Sequence, residues 1–202
     1  DKYTQGVTGV VAGSSRFPGA AVLAVGGAVQ ATSGMVRYAG YAADAVRNRW
    51  PEVIATGSLA DSGRVQAWVV GPGSGTGSDS QEMLREVLAA GVPVCADADA
   101  TTMIAQNPDL LLARDPDTPL VLTPHEREFE RLAGSVGTDR IAAARRAAQR
   151  YHAVVLLKGH CTVIADDKGH TYVQRSGRSW PATAGSGDVL SGMIGALLAA
   201  GL

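Results

Sequence analysis

Short apolar runs rich in valine alternate with longer stretches of helical periodicity along the whole chain, a pattern that predicts parallel strands covered by helices. Strands are expected at residues 6–12, 35–38, 53–55, 67–70, 92–96, 120–122 and 153–157. Residues 162–166 and 171–174 predict a closing hairpin through Asp167-Lys-Gly169. Helices are expected at residues 18–31, 42–50, 78–90 and 139–151. The third of these is marked by Asp79 and Ser80 at its start and by Met83, Leu84, Val87 and Leu88 at helical spacing. A last helix begins where Ala182-Thr-Ala-Gly-Ser-Gly-Asp188 runs into an apolar stretch from Val189 to Leu198. Polar, glycine-bearing segments follow almost every strand, and in open α/β sheets ligands bind at those carboxyl ends.

Composition narrows the class. With 202 residues and 46% hydrophobic content the chain is long enough for one substantial core, so residues 1–202 are read as a single domain. Its 18 basic against 19 acidic residues give no electrostatic reason to expect nucleic acid or an anionic membrane as partner, and favour a small-molecule substrate. Cys95 and Cys161 lie in apolar segments and are expected to be small core residues in a reducing, cytoplasmic compartment. No apolar run reaches the roughly 18 residues needed to span a bilayer, and no signal-peptide pattern opens the chain. The start at Asp1 and the end at Gly201-Leu202, inside an apolar helical pattern, lead us to expect both termini to be incomplete.

The turn at 185–188 joins free backbone N–H groups and the positive end of a helix dipole to a carboxylate, which suits chemistry on a phosphoryl group. The bland reading is an ordinary N-terminal turn with Asp188 as a cap. Gly71-Pro-Gly-Ser-Gly75 fails the dinucleotide fingerprint, because Thr76 and Ser78 stand where a third glycine is needed. The loop after the first strand lacks the lysine and hydroxyl residue of a Walker P-loop. In Thr123-Pro-His-Glu-Arg-Glu-Phe129, Phe129 occupies the position of the second zinc ligand of a zincin, so zinc is rejected. His125 is then either a structural hydrogen-bonding group or a substrate contact; Glu128 either complements the helix dipole or holds a water-coordinated Mg²⁺. Lys158, at a strand end, can reach a phosphate or simply be solvated, and Asp97 and Asp99 can order a loop or touch a ligand.

Taken in order, Gly-Pro-Gly, Asp-Ala-Asp-Ala, Thr-Pro-His-x-x-Glu-Phe, Lys-Gly-x-x-Thr-Val-Ile and Gly-x-Gly-Asp-Val-Leu resemble the ADP-dependent NAD(P)H-hydrate dehydratases over nearly the whole chain. The resemblance implies a ribokinase-like three-layer α/β/α fold with a mostly parallel central sheet. It implies that the hydrated ring of NADHX or NADPHX loses water while ADP, the co-substrate, is converted to AMP and phosphate with Mg²⁺, in a homo-oligomer, commonly a tetramer. By matching positions, Asp188 would be the general base and also touch substrate. Lys158, Gly159, His160, Cys161, Thr162, Gly185, Ser186 and Gly187 would bind nucleotide, and Ala20 or Ala21, Gly73 or Gly75, and His125 would line the hydrated-dinucleotide pocket. Ser74, Arg127, Ala184 and Ser186 depart from the residues usual at those positions. Two alternatives remain open: a small-molecule kinase of the same superfamily acting on a vitamin-precursor alcohol, and a nucleotide-binding module without catalysis.

Overall fold

The computed structural model describes residues 3–175 and 182–202. The apolar runs form β1 (Val7–Val11), β2 (Met35–Ala39), β3 (Ile54–Thr56), β4 (Ala67–Val70), β5 (Val94–Ala96), β6 (Leu120–Leu122), β7 (Val154–Leu157), β8 (Cys161–Ala165) and β9 (Thr171–Arg175). They hydrogen-bond into one nine-stranded sheet in the order β3-β2-β1-β4-β5-β6-β7-β8-β9. Pairing is parallel from β3 to β7, and β8 and β9 close the edge as an antiparallel hairpin. The helices are α1 (Pro18–Gln30), α2 (Ala43–Arg49), α3 (Ser78–Ala89), α4 (Asp99–Gln106), α5 (Glu126–Ala133), α6 (Arg140–Tyr151) and α7 (Ser186–Ala199), with a 3-10 turn at Pro108–Ala113.

Strand alternation divides the apolar residues between two cores, one on each face of the sheet. Val7, Val11, Trp68, Val70, Val94 and Ala96 face the side covered by α3 to α6. Val10, Val69 and Cys95 face the side of α1 and α2, where the partly buried Ile194 and Leu198 of α7 also pack. The three-layer architecture follows. Cys95 is a core residue as expected, but Cys161 is only half-buried, because β8 lies near the edge of the sheet where one face is thinly covered.

α1 and α7 approach more closely than side chains would permit. A Cβ on Gly27 would lie 2.2 Å from the Val189 carbonyl oxygen, and one on Gly192 would lie 2.0 Å from that of Ala24. On its inner face, a Cβ on Gly195 would lie 2.1 Å from Val69 Cγ2. Such backbone-to-backbone contact fixes the height and rotation of α7, and so where its first turn stands over the sheet.

Two elements lie outside the expected set. α4 and the 3-10 turn occupy a region to which the apolar pattern assigns no element, because Asp-Ala-Thr-Thr-Met-Ile-Ala-Gln is short and carries β-branched residues. Burial of Ala100, Thr101, Met103 and Ile104 overrides that weak propensity. Ala98, just before α4, sits at φ +47°, a conformation that residues with a Cβ resist.

Candidate active site

The carboxyl ends of β1, β4, β5, β6 and β7 share one edge, and the loops carrying the sequence motifs project from it. After β5 comes Asp97; after β7 comes Lys158. The strand between them, β6, is tied to both flanks: the Thr123 N–H donates to the Ala96 carbonyl at 3.2 Å, and the Lys158 N–H to the Pro124 carbonyl at 2.9 Å. Lys158 Nζ therefore reaches across and donates to Asp97 Oδ1 at 2.7 Å. The Asp97 side chain is 2% exposed and that of Lys158 21%, so this ion pair is withdrawn from solvent.

The first turn of α7 lies over the pair. Gly185, at φ +85°, turns the chain into the helix, and no side chain caps it. A Cβ on Gly187 would sit 3.4 Å from Lys158 Nζ and 3.7 Å from Asp97 Oδ2, which places the turn within ordinary contact distance of the pair. Asp188 follows in the third helical position, half-buried. Burial, reinforced by the negative charge of Asp97 and opposed by Lys158, pushes its carboxyl up to about 6. A carboxylate tuned to that range exchanges a proton near neutral pH, as a general base must. Cys95, on the strand below, is kept neutral because burial pushes its thiol up.

Beside this cluster the Gly71–Gly75 turn packs on the start of α1. Gly71, at φ +115°, brings the turn so close to β5 that a Cβ would lie 2.1 Å from the Asp97 carbonyl oxygen. Gly73 does the same against Ala20, 2.7 Å from its Cβ. The Gly75 N–H donates to Asp99 Oδ2 at 2.8 Å, and the Gly13 N–H to the Pro72 carbonyl at 2.7 Å. Asp99 thus orders the loop. Ser74 is buried, with its hydroxyl donating to the Gly71 and Gly75 carbonyls, so the departure from an apolar residue there leaves no unsatisfied group. Gly73 and Ala20 are brought together at one surface, whereas Ala21 is fully buried in the core.

His125 caps α5. Its Nδ1 accepts from the Glu128 N–H at 3.3 Å, while Glu128 Oε2 accepts from the His125 N–H at 2.8 Å, a reciprocal capping box. The other carboxylate oxygen lies 3.2 Å from His125 Nε2. Arg127 is exposed on the next position. Among the described residues no three His, Cys, Asp or Glu side chains converge as a ligand cage. Mg²⁺ keeps several waters and takes one or two carboxylates plus phosphate oxygens. Glu128, with an acceptor direction left on each oxygen, fits contact through water with such an ion and does not fit direct enclosure of it.

The loop from Lys158 to Thr162 is shaped by a residue that sequence reasoning missed. Arg140, at the start of α6, donates to the Lys158 carbonyl at 3.1 Å and to Glu126 Oε2 at 3.0 Å. A Cβ on Gly159 would lie 2.7 Å from its guanidinium nitrogen, so a side chain there would displace the Arg140 head group. Its Nε is buried without a partner among the described residues. The Thr162 hydroxyl donates to the Gly159 carbonyl at 3.1 Å, His160 is exposed and Cys161 half-buried. Arginine-rich composition in α6 hid the one arginine that turns inward.

Comparison with known proteins gives the assembly its family. The profile of the NAD(P)H-hydrate dehydratases matches residues 8–202. The bifunctional NAD(P)H-hydrate repair enzymes Nnr of Mycobacterium leprae and Mycobacterium tuberculosis are 60% and 61% identical over all of this chain, which spans 42% of their length. An ADP-dependent (S)-NAD(P)H-hydrate dehydratase of Neisseria meningitidis is 41% identical, with 100% of this chain and 72% of that protein covered. Among solved structures, the Bacillus subtilis ADP/ATP-dependent NAD(P)H-hydrate dehydratase co-crystallized with ATP/Mg²⁺ superposes with a TM-score of 0.85 at 30% identity, over 98% of this chain and 74% of that one. A ribokinase-like superfamily protein of Enterococcus faecalis, 23% identical, shares the fold with a TM-score of 0.86 over 98% of this chain and 73% of its own. With a matching profile along almost its entire length, the chain belongs to the NAD(P)H-hydrate dehydratase family.

Proposed function

We propose that the chain dehydrates the hydrated nicotinamide ring of NADHX and NADPHX, with ADP as phosphoryl donor and AMP and phosphate as products. One observation carries the reading: a half-buried carboxylate, Asp188, tuned to about 6, stands in the uncapped first turn of a helix over a half-buried lysine paired with the buried Asp97. Hydroxide is a poor leaving group. The ring hydroxyl oxygen attacks the β-phosphorus of ADP as Asp188 takes the hydroxyl proton, and the phosphorus–oxygen bond to AMP breaks. The ring carbon–oxygen bond then cleaves with phosphate departing, and loss of the neighbouring ring proton restores the double bond. Amides from Gly185 to Gly187 and the helix dipole stabilise charge on the transferring group.

In this reading Lys158, Gly159, His160, Cys161 and Thr162 hold the nucleotide, and Gly73, Gly75, Ala20 and His125 line the surface for the hydrated ring. Ala21 supports that surface from the core. Glu128 would hold a bound Mg²⁺ through water, and such an ion would supply neutralisation of phosphate charge. A homotetramer is supported by Leu23, Met193 and Leu197, which leave apolar surface 40%, 44% and 42% exposed along α1 and α7. A cytoplasmic setting is supported by two free cysteines, and no helix of the described residues is long and apolar enough to cross a membrane.

The test is to mix the protein with hydrated NADH, Mg²⁺ and ADP. Return of reduced-nicotinamide absorbance together with AMP is expected. Accumulation of a phosphorylated alcohol would instead make it a kinase, and AMP binding without either product would make it a binding module.

A further inference from the structure

We infer that Asp97 is a positioning residue: it holds the Lys158 ammonium beneath the first turn of α7, and the pair tunes the charge state of Asp188. The inference rests on the reading of Asp188 as the base and adds to it a residue that touches no reacting atom.

The geometry is specific. Asp97 Oδ1 accepts from Lys158 Nζ at 2.7 Å, and its other oxygen lies under Gly187, in the same turn as Asp188. Ala98 is held at φ +47°, between a carboxylate directed to Lys158 and a carboxylate, Asp99, directed to the Gly75 N–H. Backbone strain of this kind persists where the surroundings over-determine it. Among the described residues, the elements packed most extensively on α7 add no charge to that of the pair. α1 contributes no titratable side chain, nor do β1 and β4, and Cys95 of β5 is kept neutral by burial. Asp97 raises the proton affinity of Asp188 and Lys158 lowers it, so the two act in opposite senses on one group.

The experiment follows the Asp188 carboxyl by ¹³C NMR titration in the full chain, alongside the pH profile of kcat/KM. In Asp97→Asn, loss of the neighbouring negative charge moves the Asp188 titration and the acid limb of activity to lower pH. In Lys158→Gln, loss of the positive charge moves both to higher pH. Each displacement is expected to be about one pH unit, a tenfold change in proton affinity. A purely structural pair would lower activity in both variants without displacing either curve, and that result, or displacement of both in one direction, would overturn the proposal. Either variant alone decides by its sign. If neither folds, Asp97→Asn/Lys158→Gln keeps an amide pair in place of the ion pair. Asp188 in that double variant then titrates below the native protein, and an unchanged or higher titration counts against the proposal. Because the NMR signal needs no turnover, it remains readable if Asp188 is not the base; an active Asp188→Asn enzyme would sink that reading alone.

Discussion

Two helices begin at the same edge of the sheet and meet opposite fates. α5 closes its own N-terminus: His125 and Glu128 exchange hydrogen bonds, and Glu128 is buried with both oxygens engaged. α7 opens on Gly185 with no side-chain cap, and its carboxylate, Asp188, stands over a half-buried lysine with its proton affinity raised. A capped terminus stabilises the fold, whereas an uncapped terminus with an unfavourably placed charge costs stability and leaves amides for a ligand. The difference shows that one sheet edge carries both a helix start whose amides its own side chains satisfy and one that leaves amides free for a ligand.

The sharpest way to break the contrast is to move α7. Gly192→Ala places a methyl group 2.0 Å from the Ala24 carbonyl oxygen, so α1 and α7 must separate. We expect a loss of about 3 kcal/mol in denaturant unfolding and a fall in turnover, since the first turn shifts off the Asp97–Lys158 pair. Native stability would show that the helices slide freely. Next in size, Glu128→Ala removes half of the capping box and should cost about 1–2 kcal/mol of stability, with a smaller effect on turnover than any change at Asp188. If turnover is lost and stability kept, α5 is no closed cap.

The smallest effect has the opposite sign. Asp188 has a folded-state proton affinity raised from 3.8 to about 6, so its ionisation costs stability progressively as the pH rises between those values, and in full above about 6. Asp188→Asn should therefore stabilise the protein by about 1 kcal/mol at neutral pH, after discounting for partial exposure. That gain should fade as the pH falls from 6 towards 4, where the native carboxyl is protonated. Thermal unfolding at the two pH values checks this; a destabilised amide variant would mean that Asp188 serves as an ordinary cap.

Legibility in sequence follows the range of the interaction concerned. β4 and β6 lie where valine and leucine runs place them, and the hairpin of β8 and β9 follows from Asp167-Lys-Gly169. The glycine turn that opens α7 was readable because glycine spacing, carboxylate and helix start are contiguous. Asp97 and Lys158 were each visible as polar residues at strand ends, but their pairing was not, for they stand 61 residues apart and meet only because β5 and β7 flank β6. Arg140 was hidden for the same reason: its partners lie on another helix and another loop. α4 escaped because its helical state is enforced by burial against α5, and no local pattern announces Ala98 in a left-handed conformation. Local chemistry is written along the chain, and the electrostatic support beneath it is written across the sheet.

The central claim is that Asp188 acts in the chemical step and does not hold the nucleotide. Its most direct test measures hydrate turnover and AMP affinity on one preparation of Asp188→Asn. Turnover lower by about 10²–10⁴-fold, with AMP affinity within a few-fold of the native protein, is the predicted result. Undiminished return of reduced nicotinamide by that variant would contradict it.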